Sequence, residues 1–330
     1  MLRRVLVLLA SVVVAACSSS SGTNGASPDG SSGGGDEGGM SSDASIDTGA
    51  AIDASAGADA SSTKDAGGGG IADAADESAI PGWTLSWSDE FNGADGSPAD
   101  PAKWTHDVGG SGWGNQEREY YTDGAQNAVQ QGGNLVITAT PNGASQYSCW
   151  YGTCLYTSAR LKTQGLFSQA YGRFEARAQM PFGKGLWPAF WMLGDNIDTV
   201  SWPACGEVDI LETIGTDIST NHGSLHAPSY NPTGTYSLPN GAKYSDAFHT
   251  FAAEWEPGVV RFYVDDVLYE TRTSGETDAG GTWEFDHPFF LIVNVAVGGM
   301  WPGDPDSTTT FPQTLKVDWI RVYTKNGADY

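Results

Sequence analysis

From Trp83 to Tyr323 the chain runs as a succession of short segments in which large apolar residues recur at alternate positions. None carries the 3.6-residue period of an amphipathic helix. Trp83-Thr84-Leu85-Ser86-Trp87 is the first. Further strand-like runs follow at 134–140, 159–163, 171–180, 187–193, 207–213, 222–226, 251–256, 259–265, 267–271, 289–297 and 315–323. Asp265-Asp266, between two of them, reads as a tight hairpin turn. So many strands with turn-rich connections predict an all-β fold of two packed antiparallel sheets, a jelly-roll β-sandwich, as one domain over 80–330.

Within this series the stretch Gly206-Glu207-Val208-Asp209-Ile210-Leu211-Glu212 holds three carboxylates among apolar residues with no basic partner. On a strand, Glu207 and Asp209 share one face, and strict alternation would put Leu211 beside them. A single β-bulge would return Glu212 to the acidic face instead. Glycoside hydrolysis needs such a set, because one carboxyl group must protonate the leaving oxygen while another attacks or assists at the sugar carbon. Crowding separates their roles, since like charges held close cannot all ionise and one acid stays protonated. The same pattern also suits a solvated acidic face, or three ligands for a calcium ion.

Glu207-Val-Asp-Ile-Leu-Glu212, with Leu186-Trp-Pro-Ala-Phe-Trp-Met-Leu193 upstream, resembles the signature region of glycoside hydrolase family 16. Two residues between Asp209 and the second Glu resemble the bulged form of laminarinase-like endo-β-1,3-glucanases. The resemblance implies a concanavalin A-like sandwich and a retaining hydrolase, with Glu207 as nucleophile, Glu212 as general acid/base and Asp209 as the residue that orients and tunes Glu207. Trp187 and Trp191, an even number of residues apart, face one side of a strand and would be sugar platforms. Gly112-Trp-Gly-Asn-Gln-Glu117 is similar to a cleft segment of the family, which implies a sugar contact for Asn115 and a groove wall at Trp113. Arg160 matches a sugar-contacting position, although an exposed strand arginine needs no function. His226 would stand near the acid/base carboxyl, and Trp301, in the segment that follows Asn294, would contact substrate. Glu90 and Asp318 resemble ligands of a structural calcium ion. No cofactor is expected for catalysis.

The first quarter of the chain reads differently. Arg3 and Arg4 precede an apolar run ending in Ala15-Ala16-Cys17, too short for a mature membrane span. Small residues before a cysteine resemble a bacterial lipoprotein signal at 1–16 with Cys17 lipidated, which implies export to an outer membrane or cell surface. An ordinary secretory signal is the alternative. Residues 17–79 are Gly, Ser, Ala, Asp and Thr with hardly an apolar anchor, a disordered linker spanning about 40 Å. With 16 basic and 40 acidic residues, a formal charge of −24, the chain is ill suited to nucleic acid or anionic glycans, and a neutral polymer such as β-glucan is the easier partner. The membrane would be met only through the lipid anchor, and a monomer is expected. In an exported protein Cys149 and Cys154 are expected to pair across a surface loop, leaving Cys205 free, with a long-range bridge to Cys205 as the alternative. Agar, galactan and xyloglucan remain alternative substrates on the same acids, and a non-catalytic glucan lectin is an alternative of another class.

Overall fold

The structure, a computed structural model, describes residues 79–330. The signal-type segment, the lipidation candidate Cys17 and the linker to residue 78 lie outside the described residues.

Two antiparallel sheets account for most of the fold. In one, the strands lie in the order Thr233–Ser237, Thr220–His226, Glu207–Glu212, Leu186–Gly194, Phe289–Val297, Arg160–Lys162 and Thr105–Asp107. In the other the order is Val267–Thr273, Val259–Val264, His249–Glu256, Gly172–Gln179, Gln313–Lys325, Asn134–Ala139 and Ala128–Gln131, with Trp83–Asp89 also paired to Gln313–Lys325. Gly172–Gln179, Leu186–Gly194, Phe289–Val297 and Gln313–Lys325 each lie beside segments distant in sequence, as a jelly-roll sandwich requires.

Alternation explains how the layers form. Along Leu186–Gly194, Leu186, Phe190 and Met192 enter the core, where they join Phe174, Phe251, Trp255, Phe262, Phe289 and Ile320. Ala189, Trp191 and Leu193 point the other way and form a second apolar cluster with Phe290 and Ile292. Removing a large aliphatic or aromatic side chain from water stabilises by about 1.5–3 kcal/mol, so the core face sets the register and the opposite face is left for function. The Trp255 indole shows how polar atoms are accommodated there: its Nε1 donates to the Phe285 carbonyl at 3.0 Å.

All the long strands expected from alternation are present, and Asp265 and Asp266 form the turn with φ of 48° and 60°. A tight turn with positive φ at both central residues fits the twist of the two strands it joins. Not anticipated are the short pairings of Glu119–Tyr121 with Tyr156–Ser158, which are parallel, and of Ser148–Cys149 with Gly152–Thr153, nor the one-turn helix Ile197–Val200. Segments of two to four residues are too short to show a period. Cys149 and Cys154 form a disulfide, and Cys205 is buried and reduced.

Glu90 and Asp318 do not fit a calcium site. Arg321 donates to both oxygens of Glu90, from Nε at 3.0 Å and Nη2 at 2.7 Å, and Arg177 is ion-paired with Asp318. Each carboxylate is already neutralised by a guanidinium, which would also repel a divalent cation, so the expected ligands are committed elsewhere. No catalytic or structural step is assigned to this metal.

Candidate active site

The three acids stand on the face of the seven-stranded sheet that turns away from the core. Against Leu186–Gly194, Glu207 lies opposite Leu193, Val208 opposite Met192 and Asp209 opposite Trp191, whereas Leu211 lies opposite Phe190 and Glu212 opposite Ala189. Ile210 is therefore the extra residue of a β-bulge. Val208, Ile210 and Leu211 all enter the core, and Glu207, Asp209 and Glu212 remain together beside the Trp187 and Trp191 face. The phase slip expected from the sequence is the device that assembles the triad.

The next strand supplies a cation. His226 pairs with Glu207 in register, and its Nε2 lies 3.2 Å from Asp209 Oδ2 and 3.8 Å from Glu207 Oε1. On the other side of the ring, Nδ1 is 3.1 Å from Asn231 Oδ1. Burial opposes charge on this imidazole, but the hydrogen bond to Asp209 and the charges of Glu207 and Asp209 outweigh it and raise its pKa to about 10. At neutral pH His226 is an imidazolium. The family resemblance places a histidine near the acid/base carboxyl; here the carboxylates in contact are Asp209 and Glu207.

Burial and the Asp209 charge push Glu207 up to about 8, against the opposing pull of His226, Arg160 and the Trp202 indole. Burial and Asp209 push Glu212 well above the usual carboxylate range, with His226 and a hydrogen bond from Trp187 opposing. Trp187 Nε1 donates to Glu212 Oε1 at 2.9 Å. Two cations face Glu207 and one faces Glu212, so Glu207 ionises first and Glu212 keeps its proton. Above about pH 8 an anionic Glu207 stands beside a protonated Glu212, the pair that acid-assisted displacement at an acetal carbon requires. The main-chain position of Glu212 is held by Asn221, whose Oδ1 accepts its N–H at 3.0 Å.

Trp113, Asn115, Arg160, Trp187 and Trp191 line one pocket with the three acids, together with Glu117 and Asn294. Arg160 is 5% exposed, which disfavours the alternative of an exposed strand arginine without function. Its guanidinium lies 5.1 Å from the Trp113 ring centre and 4.7 Å from that of Trp191, and its Nε is 3.0 Å from Asp107 Oδ2. Cation–π contact on both sides holds the two indoles as walls of the pocket. The loop that carries Trp113 and Asn115 is sharply bent, with positive φ at Gly112, Trp113, Gly114 and Gln116. A Cβ at Gly112 would meet the Trp150 ring at 2.8 Å, so that position admits only glycine. Trp301 is not among the residues that line this pocket; it stands edge-on to Trp187 at 5.3 Å and to His222 at 4.9 Å.

Sequence reasoning left Glu117, Glu119 and Tyr121 without a role. Glu117 is buried in the pocket wall itself, and Glu119 and Tyr121 are buried next to it. The signal was present in Glu117-Arg-Glu-Tyr-Tyr121, two acids at alternate positions, but nothing in the run itself shows what closes over them. Among the described residues, Glu207, Asp209 and His226 are the one group of acids and histidines close enough to hold a metal ion, and their mutual ion pairing accounts for the cluster.

Comparisons with known proteins agree with this geometry. The profile of Glycosyl hydrolases family 16 matches residues 115–321. A "Beta-glucanase" of Rhodothermus marinus is 44% identical over 270 residues, 76% of this chain and 88% of its own. A "Glucan endo-1,3-beta-glucosidase" of Cryptopygus antarcticus is 36% identical over 264 residues, 74% of this chain and 93% of its own. The catalytic domain of an endo-1,3-beta-glucanase (laminarinase) from Thermotoga petrophila superposes with a TM-score of 0.70 at 47% identity, covering 74% of this chain and 99% of that one. With the acidic strand, its bulge and its sandwich in place, these matches make the chain a member of glycosyl hydrolase family 16.

Proposed function

We propose that this glycoside hydrolase is an endo-acting, retaining β-glucanase that cleaves β-1,3-glucosidic bonds of laminarin-like polysaccharides by double displacement. The observation that carries the reading is the buried triad of Glu207, Asp209 and Glu212 on an aromatic-walled pocket, with its protons divided unequally by His226 and Arg160. Relatives named as β-1,3-glucanases support the substrate class. In the first step the Glu207 carboxylate attacks the anomeric carbon while Glu212 gives its proton to the departing glycosidic oxygen, leaving a glycosyl ester on Glu207. In the second step Glu212, now anionic, takes a proton from water. The water oxygen attacks the same carbon, Glu207 leaves, and the β configuration is restored. Asp209, bridged to the imidazolium of His226, orients Glu207 and balances its charge. Trp187 and Trp191 offer ring faces for stacking.

The test is reducing-sugar release from laminarin, lichenan, agarose and xyloglucan in the presence of a chelator. Release from laminarin above the others is expected. Release confined to another polymer would replace the substrate and keep the mechanism, and binding without release would overturn the reading in favour of a lectin. Chelator is expected to leave the rate unchanged, because no step uses a metal.

The Ala15-Ala16-Cys17 sequence supports a second proposal, that the enzyme is exported and held to a bacterial outer membrane by a lipid on Cys17, with 17–79 as tether. A Cys17→Ala chain is expected to move from the membrane to the soluble fraction. A parent chain already soluble would overturn the anchor.

A further inference from the structure

Two buried carboxyl groups outside the triad have no part in the mechanism above. Glu117 is 4% exposed and Glu119 is fully buried, and the two lie within hydrogen-bonding reach of each other. Their surroundings differ. Glu117 accepts from Asn115 Nδ2 at 3.2 Å on one oxygen and from the Tyr121 hydroxyl at 3.1 Å on the other, and the positive charge of Arg160 faces it. Glu119 accepts the Val297 N–H at 2.7 Å on Oε2, while no donor meets its Oε1. Adjacent buried carboxylates cannot both be charged, so a proton is shared, and it belongs on the group with fewer donors and no facing cation.

The donors then form a directed chain. Trp191 Nε1 donates to Asn294 Oδ1 at 2.8 Å, Asn294 Nδ2 donates to the Tyr121 hydroxyl at 3.1 Å, and Tyr121 donates to Glu117. Every arrow ends on Glu117. With Glu117 neutral, its hydrogen would point at Glu119 and its oxygens would be weaker acceptors for Asn115 and Tyr121, so the chain would lose its charged terminus.

We propose that Glu119 is a carboxylic acid that donates its proton to Glu117, keeping Glu117 an ionised acceptor from which the Trp191 platform and Asn115 take their orientation. Glu117 and Glu119 are positioning residues for the proposed glucanase reaction, and this inference rests on that reading for its kinetic arm only. Both carboxyl groups are held above their ordinary range by burial, with Glu119 raised further by the charge of Glu117, in keeping with a retained proton.

Two readouts test it. Kinetically, Glu119→Ala is expected to lower kcat/KM on laminarin by about 10- to 100-fold, the scale of a small misplacement of binding groups. Glu119→Gln, whose amide donates as the acid does, is expected to restore it. Glu117→Gln should fall as far as Glu119→Ala, because its amide N–H must point at Asn115 or Tyr121. The opposite order, with Glu117→Gln tolerated and Glu119→Gln damaging, would place the proton on Glu117 and overturn the proposal. Independently of any substrate, the infrared carbonyl band of a buried neutral carboxylic acid is expected in the Glu207→Gln/Glu212→Gln protein and should vanish when Glu119→Gln is added. A band unchanged by that substitution would overturn the proposal even if the enzyme proved to act on another polymer.

Discussion

Glu207→Gln is expected to lower laminarin turnover by more than about 10⁴-fold, because an amide cannot form the glycosyl ester on which both steps depend. Binding of the glucan should survive, since the pocket walls are untouched. A sharper test is Glu207→Gly with added azide. The small anion can enter from the vacated side, attack the anomeric carbon and release the rest of the chain with the Glu212 proton, giving an α-glycosyl azide from a β-glucan. Substantial activity in Glu207→Gln without azide would remove Glu207 from the role of nucleophile. Stability should move in the other direction. With its pKa raised to about 8, folded Glu207 keeps a proton that the unfolded chain loses above its ordinary value of 4.5. Its burial therefore costs increasing stability as pH rises from about 4.5 to about 8, and the neutral glutamine removes that dependence. Relative to the parent, Glu207→Gln should gain melting temperature across that window, as thermal scans at stepped pH would show.

Glu212→Ala is expected to have the second largest effect, a loss of about 10²- to 10⁴-fold on laminarin, the usual contribution of a positioned proton donor. Its signature differs from that of Glu207. An aryl glycoside whose leaving group needs no proton should still form the glycosyl ester, and azide should then displace Glu207 to give the β-glycosyl azide. Exchange of the α and β products between the two variants would reverse the assigned roles. The parent profile should also show an alkaline limb that lies well above the ordinary carboxylate range, because activity falls as Glu212 loses the proton that burial and Asp209 hold on it. Glu212→Ala should lose this limb.

Much of the site was readable before any fold was known. Three acids in Glu207–Glu212 cannot all share a face on a regular strand, so the sequence already called for an irregularity, and the bulge at Ile210 is that irregularity. The indoles of Trp187 and Trp191 fall on the acidic side by alternation alone. Arg160 was legible only through the family resemblance, because its burial comes from Trp113, which reaches it from a loop some fifty positions earlier, and from Asp107 on the edge strand. Glu90 and Asp318 illustrate the converse. Isolated carboxylates suggest ligands, whereas the structure gives each an arginine, and only the pairing of Trp83–Asp89, Gly172–Gln179 and Gln313–Lys325 in one sheet brings those arginines into range.

By itself, the sequence determined which residues alternate, and so the all-β sandwich and the strand that bears the three acids. Burial of one strand face is a local, periodic demand that any continuous stretch records. Tertiary structure alone decided how charge is divided among those acids. The cations that divide it, His226 and Arg160, stand on different strands, and the Glu117–Glu119 pair at the pocket wall is closed by Val297 and Asn294 from a strand some 180 positions away. Protonation follows from distance and dielectric rather than from order along the chain, and those exist only once the sheets have closed.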